Sequence, residues 1–177
     1  MAKILIVDDD LHTRNQLTTI LSAAGHDMLD SASGEAAIEL LQKKKADLVV
    51  LDQMMPGMSG TDTAHELHEL GTPFLFCSGS TELETLKAAM SLGALNYIVK
   101  PFSPADVVLS VDGALERLKN AEKDSDVKTA VTFLMGRFDL SHKMAVKRLT
   151  KMSRDSGIKT PELSKQINET ADLINRR

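Results

Sequence analysis

Aromatic residues are scarce in this chain. Only 3% of its 177 residues are aromatic: five Phe, one Tyr and no Trp. A core must therefore come from Leu, Ile, Val, Ala and Met, and the 42% apolar content is enough to build one. The single cysteine, Cys77, excludes an internal disulfide and a multi-cysteine metal site. It has no basic neighbour in sequence, so it reads as a small buried apolar residue and not as a reactive thiol. No apolar run reaches the ~18 residues that a membrane-spanning helix needs. The opening "MAKILIVDDD" has too short an apolar run for a signal peptide. The expectation is a cytoplasmic protein with no membrane partner.

The net charge of −4 hides an asymmetry. Residues 1–120 hold 9 Lys/Arg and 17 Asp/Glu, whereas residues 121–177 hold 12 and 8. An acidic front and a basic tail point to two units, 1–120 and 121–177, with different partners.

Within the first unit, apolar runs alternate with helical patterns. "KILIVD", "DMLDSAS", "ADLVVLD", "TPFLFCS" and "NYIVK" read as five strands. Helical spacing fills Thr13 to Ala24, Gly34 to Lys44, Thr61 to Leu70, Thr81 to Leu92 and the segment opened by Pro104. This alternation predicts an α/β fold: a five-stranded parallel sheet, doubly wound in the flavodoxin-like order, with the first strand near the middle.

Such sheets bind ligands beyond the carboxyl ends of their strands. That edge collects Asp8, Asp9 and Asp10 after strand one, and Asp52 after strand three. Ser78 and Lys100 close strands four and five. Turn preference explains one or two such positions but not six in register. Oxygen ligands of this kind suit Mg²⁺, which uses few carboxylates together with a phosphate. In "VVLDQMMPGMSG", Pro56, Gly57 and Gly60 read as loop-shaping residues after the lone carboxylate of Asp52.

The "DDD", "LDQMMPGMSG", "CSGS" and "YIVKPF" segments together resemble the receiver domain of two-component response regulators, over about Lys3 to Asn120. The resemblance implies that Asp52 accepts a phosphoryl group from a sensor histidine kinase. It implies Mg²⁺ held by Asp9, Asp52 and the backbone carbonyl of Met54, with Asp8 in the outer shell. Lys100 would pair with the phosphoryl oxygens and Ser78 would hydrogen-bond to them. Tyr97 would turn inward when Ser78 moves, although a half-buried strand residue explains Tyr97 equally well. Ser78 stands where the family more often has Thr, and lacks the methyl that restricts χ1. The Lys100–Pro101 bond is expected to be cis. The implied chemistry is self-phosphorylation and slow self-dephosphorylation, so the chain is not an enzyme in the usual sense.

Beyond Asn120, "AEKDSD" reads as a linker or helix start, with Ser125 or Asp126 as an N-cap. Three helical segments follow, Val127 to Arg137, His142 to Asp155 and Pro161 to Asn175, giving a small all-α output domain. The last carries a stripe of Leu163, Ile167, Ala171 and Ile174. On the middle helix Lys143, Lys147, Lys151 and Arg154 fall within an arc of about 80°. Ala145, Leu149 and Met152 lie opposite. A basic face of this kind is either a solvated surface or a contact for a polyanion.

The pattern "AVTFLMGRFDLSHKMAVKRLTKMSRDS" resembles the ANTAR domain, an RNA-binding antitermination module often joined to receivers. That resemblance implies a phosphorylation-dependent homodimer that binds structured hairpin RNA and prevents a terminator from forming. Val146 stands where the family usually has an aromatic. Phe133 and Phe138 read as core, which leaves Arg137, Arg148 or Arg154 to read bases. Two other readings stay open: a tail that binds DNA as a helix-turn-helix, and a tail that binds protein only.

Overall fold

The computed structural model describes residues 1–79 and 83–175, without the side chains of 83–86, 174 and 175. The chain divides into two compact units, Met1–Arg117 and Leu118–Arg177.

The first unit is a parallel sheet of β1 (Lys3–Val7), β2 (Asp27–Ser31), β3 (Leu48–Asp52), β4 (Phe74–Ser78) and β5 (Tyr97–Val99). Their order is β2-β1-β3-β4-β5, the doubly wound order expected. Side-chain alternation splits the core into two layers. Ile4, Ile6, Val50 and Cys77 pack with Leu17 and Leu21 of α1 (Leu11–Ala23) and Val107 and Val111 of α5 (Pro104–Phe138). Leu5, Val7, Leu51 and Phe76 face the other way. They meet Ala37 of α2 (Gly34–Lys43), Leu67 of α3 (Gly60–Glu69) and Ala89 of α4 (Leu83–Ser91). β1, β3 and β4 are covered on both faces, which explains why their sequences run apolar without alternation. The expected helix start at Thr81 lies outside the described residues.

The second unit is helical, formed by the later part of α5 with α6 (His142–Ser156) and α7 (Thr160–Asn175). The segment "AEKDSD", expected to be a linker or a helix start, is helix interior. It has no Gly or Pro, and Ala, Glu and Lys are strong helix formers. Asp126 is therefore not an N-cap; its carbonyl accepts a hydrogen bond from Asn168 Nδ2 of α7 at 3.0 Å. α5 ends where Asp139 takes a left-handed φ of 51°. There the Leu140 amide reaches back to the Met135 carbonyl at 3.1 Å, a helix-terminating bond.

Ser141 occupies the N-cap of α6 by its backbone, with no capping bond from its side chain. Gly157 ends α6 in the left-handed conformation. Ser153 closes the following turn, donating to the Ile158 carbonyl at 2.6 Å and accepting from Thr160 Oγ1 at 3.1 Å. The unit's core is Ala130, Val131, Leu134, Ala145, Leu149 and Leu163, flanked by Met152 and Ile167. Ala171 is also buried. The side chain of Ile174 lies outside the described residues.

Candidate functional site

The strand ends bring the expected acids and lysine together. Asp8, just past β1, is 1% exposed, and Asp52, the last residue of β3, is 6% exposed. Lys100 follows β5. Its Nζ donates to Asp8 Oδ2 at 2.7 Å and to Asp52 Oδ1 at 3.0 Å. The Lys100 amide donates to the Ser78 carbonyl at 2.8 Å, which fixes the lysine against the end of β4. Ser78 is 2% exposed. The Lys100–Pro101 peptide is cis.

Burial pushes the Asp52 carboxyl above its ordinary range; the Lys100 hydrogen bond and charge pull it back, and the charge of Asp8 adds to the rise. Burial alone would lower the Lys100 ammonium, but its bonds to Asp8 and Asp52 outweigh this and hold it above its usual value. Burial raises the Cys77 thiol to about 12, in keeping with its place in the core.

One oxygen from each of Asp8, Asp9 and Asp52 lies within 4.8 Å of the others. This is a hard-donor set that fits a small divalent cation. Asp9 is exposed, so the cluster opens to solvent on its side. Asp10 departs from the expected convergence. It caps α1, accepting from the His12 amide at 3.2 Å and from the Thr13 amide and hydroxyl at 3.0 and 2.7 Å. These bonds hold its carboxyl below the usual range, and the turn-former reading applies to this one acid.

The loop after Asp52 carries Met54, whose side chain is exposed. Gly60 closes it, its amide donating to the Gln53 carbonyl at 3.1 Å. A Cβ at Gly60 would collide with the Asp52 carbonyl and the Gln53 backbone, so no other residue fits this close approach. Gly57 has a φ of +78°. Glu35 of α2 accepts from the Met58 amide at 2.9 Å and steadies the same loop.

Two participants escape a reading of motifs. Arg14 of α1 donates through Nη1 to the carbonyls of Asp8 and Asp9, at 2.8 and 3.1 Å. Asp30 Oδ2 lies 3.5 Å from its Nε. Arg14 thus clamps the acidic turn from behind, and its only sequence signal is a basic residue in the second turn of the helix after "DDD". Gln53 is the other, accepting from the Tyr97 hydroxyl at 3.5 Å. Tyr97 is half-buried, with its ring 6.4 Å from that of Phe76.

In the helical unit, Lys143, Lys147, Arg148, Lys151 and Arg154 of α6 are exposed, as is Arg137 of α5. Phe133 is half-buried. Phe138 is not core: it is 45% exposed, with the guanidinium of Arg148 3.8 Å from its ring centroid. It is the last residue of α5, where the turn at Asp139 carries the chain away from the packed helix faces. No described helix is long and apolar enough to cross a membrane.

The family model described as "Response regulator receiver domain" matches residues 4–112. "Probable transcriptional regulator ycf27" of Porphyridium aerugineum is 34% identical over 126 residues, 71% of this chain and 52% of that protein. "DNA-binding response regulator MtrA" of Mycobacterium tuberculosis (strain ATCC 25618 / H37Rv) is 34% identical over 116 residues, 65% of this chain and 51% of that protein. The chain spans about half the length of the curated relatives it matches. Among solved structures, NtrX of Brucella abortus superposes with a TM-score of 0.69 at 30% identity, covering 72% of this chain and 30% of that one. CheY4 of Vibrio cholerae gives 0.60 at 29% identity, covering 63% and 97%. The matched span covers β1 from Ile4 onward, the other four strands and the Asp8–Asp52–Lys100 cluster. On this match the chain belongs to the response regulator receiver family.

Proposed function

We propose that this chain is a phosphorylation-switched regulator of transcription, in which Asp52 is the phosphoacceptor and the helical unit binds nucleic acid. The observation carrying the first half is the bridge from Lys100 to Asp8 and Asp52 at the end of the sheet. Phosphoryl transfer depends mostly on positioning and charge neutralisation. An Asp52 carboxylate oxygen attacks the phosphorus of a phosphohistidine on a sensor histidine kinase, and the P–N bond breaks with its electron pair leaving on the imidazole. Lys100 stands ready as a point charge for the phosphoryl oxygens, and Ser78 as a hydroxyl donor. Asp9, Asp52 and the Met54 carbonyl would hold Mg²⁺, with Asp8 behind them. Bound Mg²⁺ supplies charge neutralisation to the transferring group. Water later hydrolyses the acyl phosphate, and beyond these two steps the chain needs no enzymatic activity.

Incubation with acetyl phosphate and Mg²⁺ tests this half. One phosphoryl group should add to the chain, and chelation of the metal should prevent it. Addition that is indifferent to chelation would count against the acidic cluster as the metal site.

For the output, the relatives named as DNA-binding or transcriptional regulators support a nucleic-acid partner, and duplex DNA is the class their names favour. A second reading, hairpin RNA bound by a phosphorylation-dependent homodimer, rests on a different observation. The basic residues concentrate on α6, beside an exposed aromatic. α7, the second helix of the α6–α7 pair, carries Glu162, Glu169 and Asp172 against Lys165 alone in its described length. A reading helix of a helix-turn-helix meets phosphates and base edges, and this one is poorly charged for it. Competition between duplex DNA and hairpin RNA for the beryllofluoride-treated chain separates the two.

A further inference from the structure

Three acids meet at the edge of the sheet, and two of them have carboxylates fixed by bonds of their own. Asp8 Oδ1 accepts from the Asp10 amide at 2.9 Å, and its Oδ2 accepts from Lys100. Asp52 Oδ1 accepts from the same lysine. Asp9 differs. It is exposed, and among the described residues no group bonds its carboxylate. Only its backbone fixes where that carboxylate starts from. Arg14 holds this backbone, with Nη1 2.8 Å from the Asp8 carbonyl and 3.1 Å from the Asp9 carbonyl. A bond to the carbonyl leaves the carboxylate of the same residue free. Asp10 aims Arg14 in turn: it caps α1, and its carbonyl accepts from the Arg14 amide at 3.1 Å. The Arg14 side chain is 11% exposed, and its Nε is buried without a hydrogen bond, 3.5 Å from Asp30 Oδ2.

We infer that Arg14 is a positioning residue for a divalent cation at Asp8, Asp9 and Asp52, and that its grip on the two carbonyls sets the cation affinity of the cluster. The inference rests on the reading of this cluster as the Mg²⁺ site. It adds a residue that acts through the ligands and touches neither the cation nor a phosphoryl group. Arg14 has two opposed effects. Its positive charge disfavours a cation nearby. Its hydrogen bonds place the Asp9 backbone in advance, so less chain entropy is lost when Asp9 coordinates. Asp30, 3.5 Å away, balances part of the charge. No other described side chain holds the Asp9 carbonyl, so positioning outweighs repulsion. Residues that orient metal ligands from behind change affinity by about ten- to a hundred-fold. Lysine cannot stand in, because its ammonium falls one bond short of the place that Nη1 reaches.

The test uses the full chain and Mn²⁺ alone, a hard cation that takes the same oxygen ligands, with no phosphodonor present. About 0.5 M KCl screens charge acting at a distance. Free Mn²⁺ is counted by electron paramagnetic resonance, and competition by Mg²⁺ checks that the two ions share a site. The variants are Arg14→Lys, Arg14→Gln and Asp9→Asn, each melted by circular dichroism and titrated well below its own midpoint. The expected result is one bound ion per wild-type chain, lost in Asp9→Asn, and at least about ten-fold weaker in both Arg14 variants. Arg14→Lys should lose affinity although it keeps the charge. A merely structural Arg14 would lower the melting midpoint and leave the affinity of the folded chain unchanged, and that result overturns the inference. Tighter binding by Arg14→Gln also overturns it, because repulsion then outweighs positioning. If Arg14→Lys does not fold, Asp30→Ala takes its place, at a side chain that is 64% exposed and beside the guanidinium. Weaker binding there supports the inference, and wild-type affinity overturns it. Binding that is absent from the wild type, or unchanged in Asp9→Asn, overturns the inference together with the metal reading of the cluster beneath it.

Discussion

Lys100 and Asp52 are joined by a 3.0 Å hydrogen bond across 48 positions of sequence, and the same ammonium reaches Asp8 at 2.7 Å. One lysine therefore balances two carboxylates buried side by side. Replacing it by Met would leave those carboxylates facing each other without a counter-charge. Breaking a buried pair in this way costs about 3 kcal/mol, the low end of the usual range because a quarter of the Lys100 side chain is exposed. Urea unfolding of Lys100→Met should show that loss at neutral pH. The loss should shrink in the Lys100→Met/Asp52→Asn double variant, where one buried charge is gone.

Tyr97 is the only tyrosine and there is no tryptophan, so ultraviolet emission above the Phe band comes from this one residue. Its hydroxyl bonds Gln53, which follows Asp52, the proposed phosphoacceptor. Beryllofluoride with Mg²⁺ should change that emission in the wild type. Ser78→Ala should still accept the phosphoryl mimic and give a much smaller change. Equal changes in both proteins would leave Ser78 without a part in the switch.

Cys77 gives a pH prediction. Burial raises its thiol from 9.0 to about 12 in the folded chain. Above pH 9 the unfolded chain loses this proton first, so it binds fewer protons than the native state and stability falls as pH rises from 9 toward 12. Cys77→Ala should show a flatter fall over that window. Alkylation of Cys77 at pH 8 should be slow in the native protein and fast in denaturant.

Gly60→Ala places a methyl group against the backbone of Asp52 and Gln53. Backbone cannot yield as a flexible side chain can, so the loop must shift. The expected cost is about 2 kcal/mol or more, with slower acetyl-phosphate labelling as the loop around Asp52 moves. Gly57→Ala meets only Glu35 but must hold a left-handed φ, and should cost less, about 1 kcal/mol. Thermal melts of the two variants rank them.

The sheet was legible because most of its strands are apolar, short and bounded by Gly, Pro and Asp, and their carboxyl ends pointed to the cluster that Lys100 forms with Asp8 and Asp52. Asp10 misled because a third acid in "DDD" looks like its neighbours, while only the entry of α1 shows that its oxygens are taken by Thr13 and His12. Arg14 was invisible because it acts on carbonyls, and backbone acceptors leave no mark in sequence. The stretch from Ala121 to Asp126 was misread because Ser and Asp resemble a cap, yet nothing there breaks a helix already under way. Phe138 was assigned to the core on residue type alone. Its exposure depends on the left-handed turn at Asp139, a conformation common in Asp but not dictated by it.

Phosphoryl transfer to this chain is assigned to Asp52. Phosphate-labelled acetyl phosphate with Mg²⁺, applied to the wild type and to Asp52→Asn, is the direct measurement. The prediction is one labelled group per wild-type chain, mapped to the peptide containing Asp52, and none in the variant. Labelling that survives in Asp52→Asn at the wild-type level would contradict the assignment.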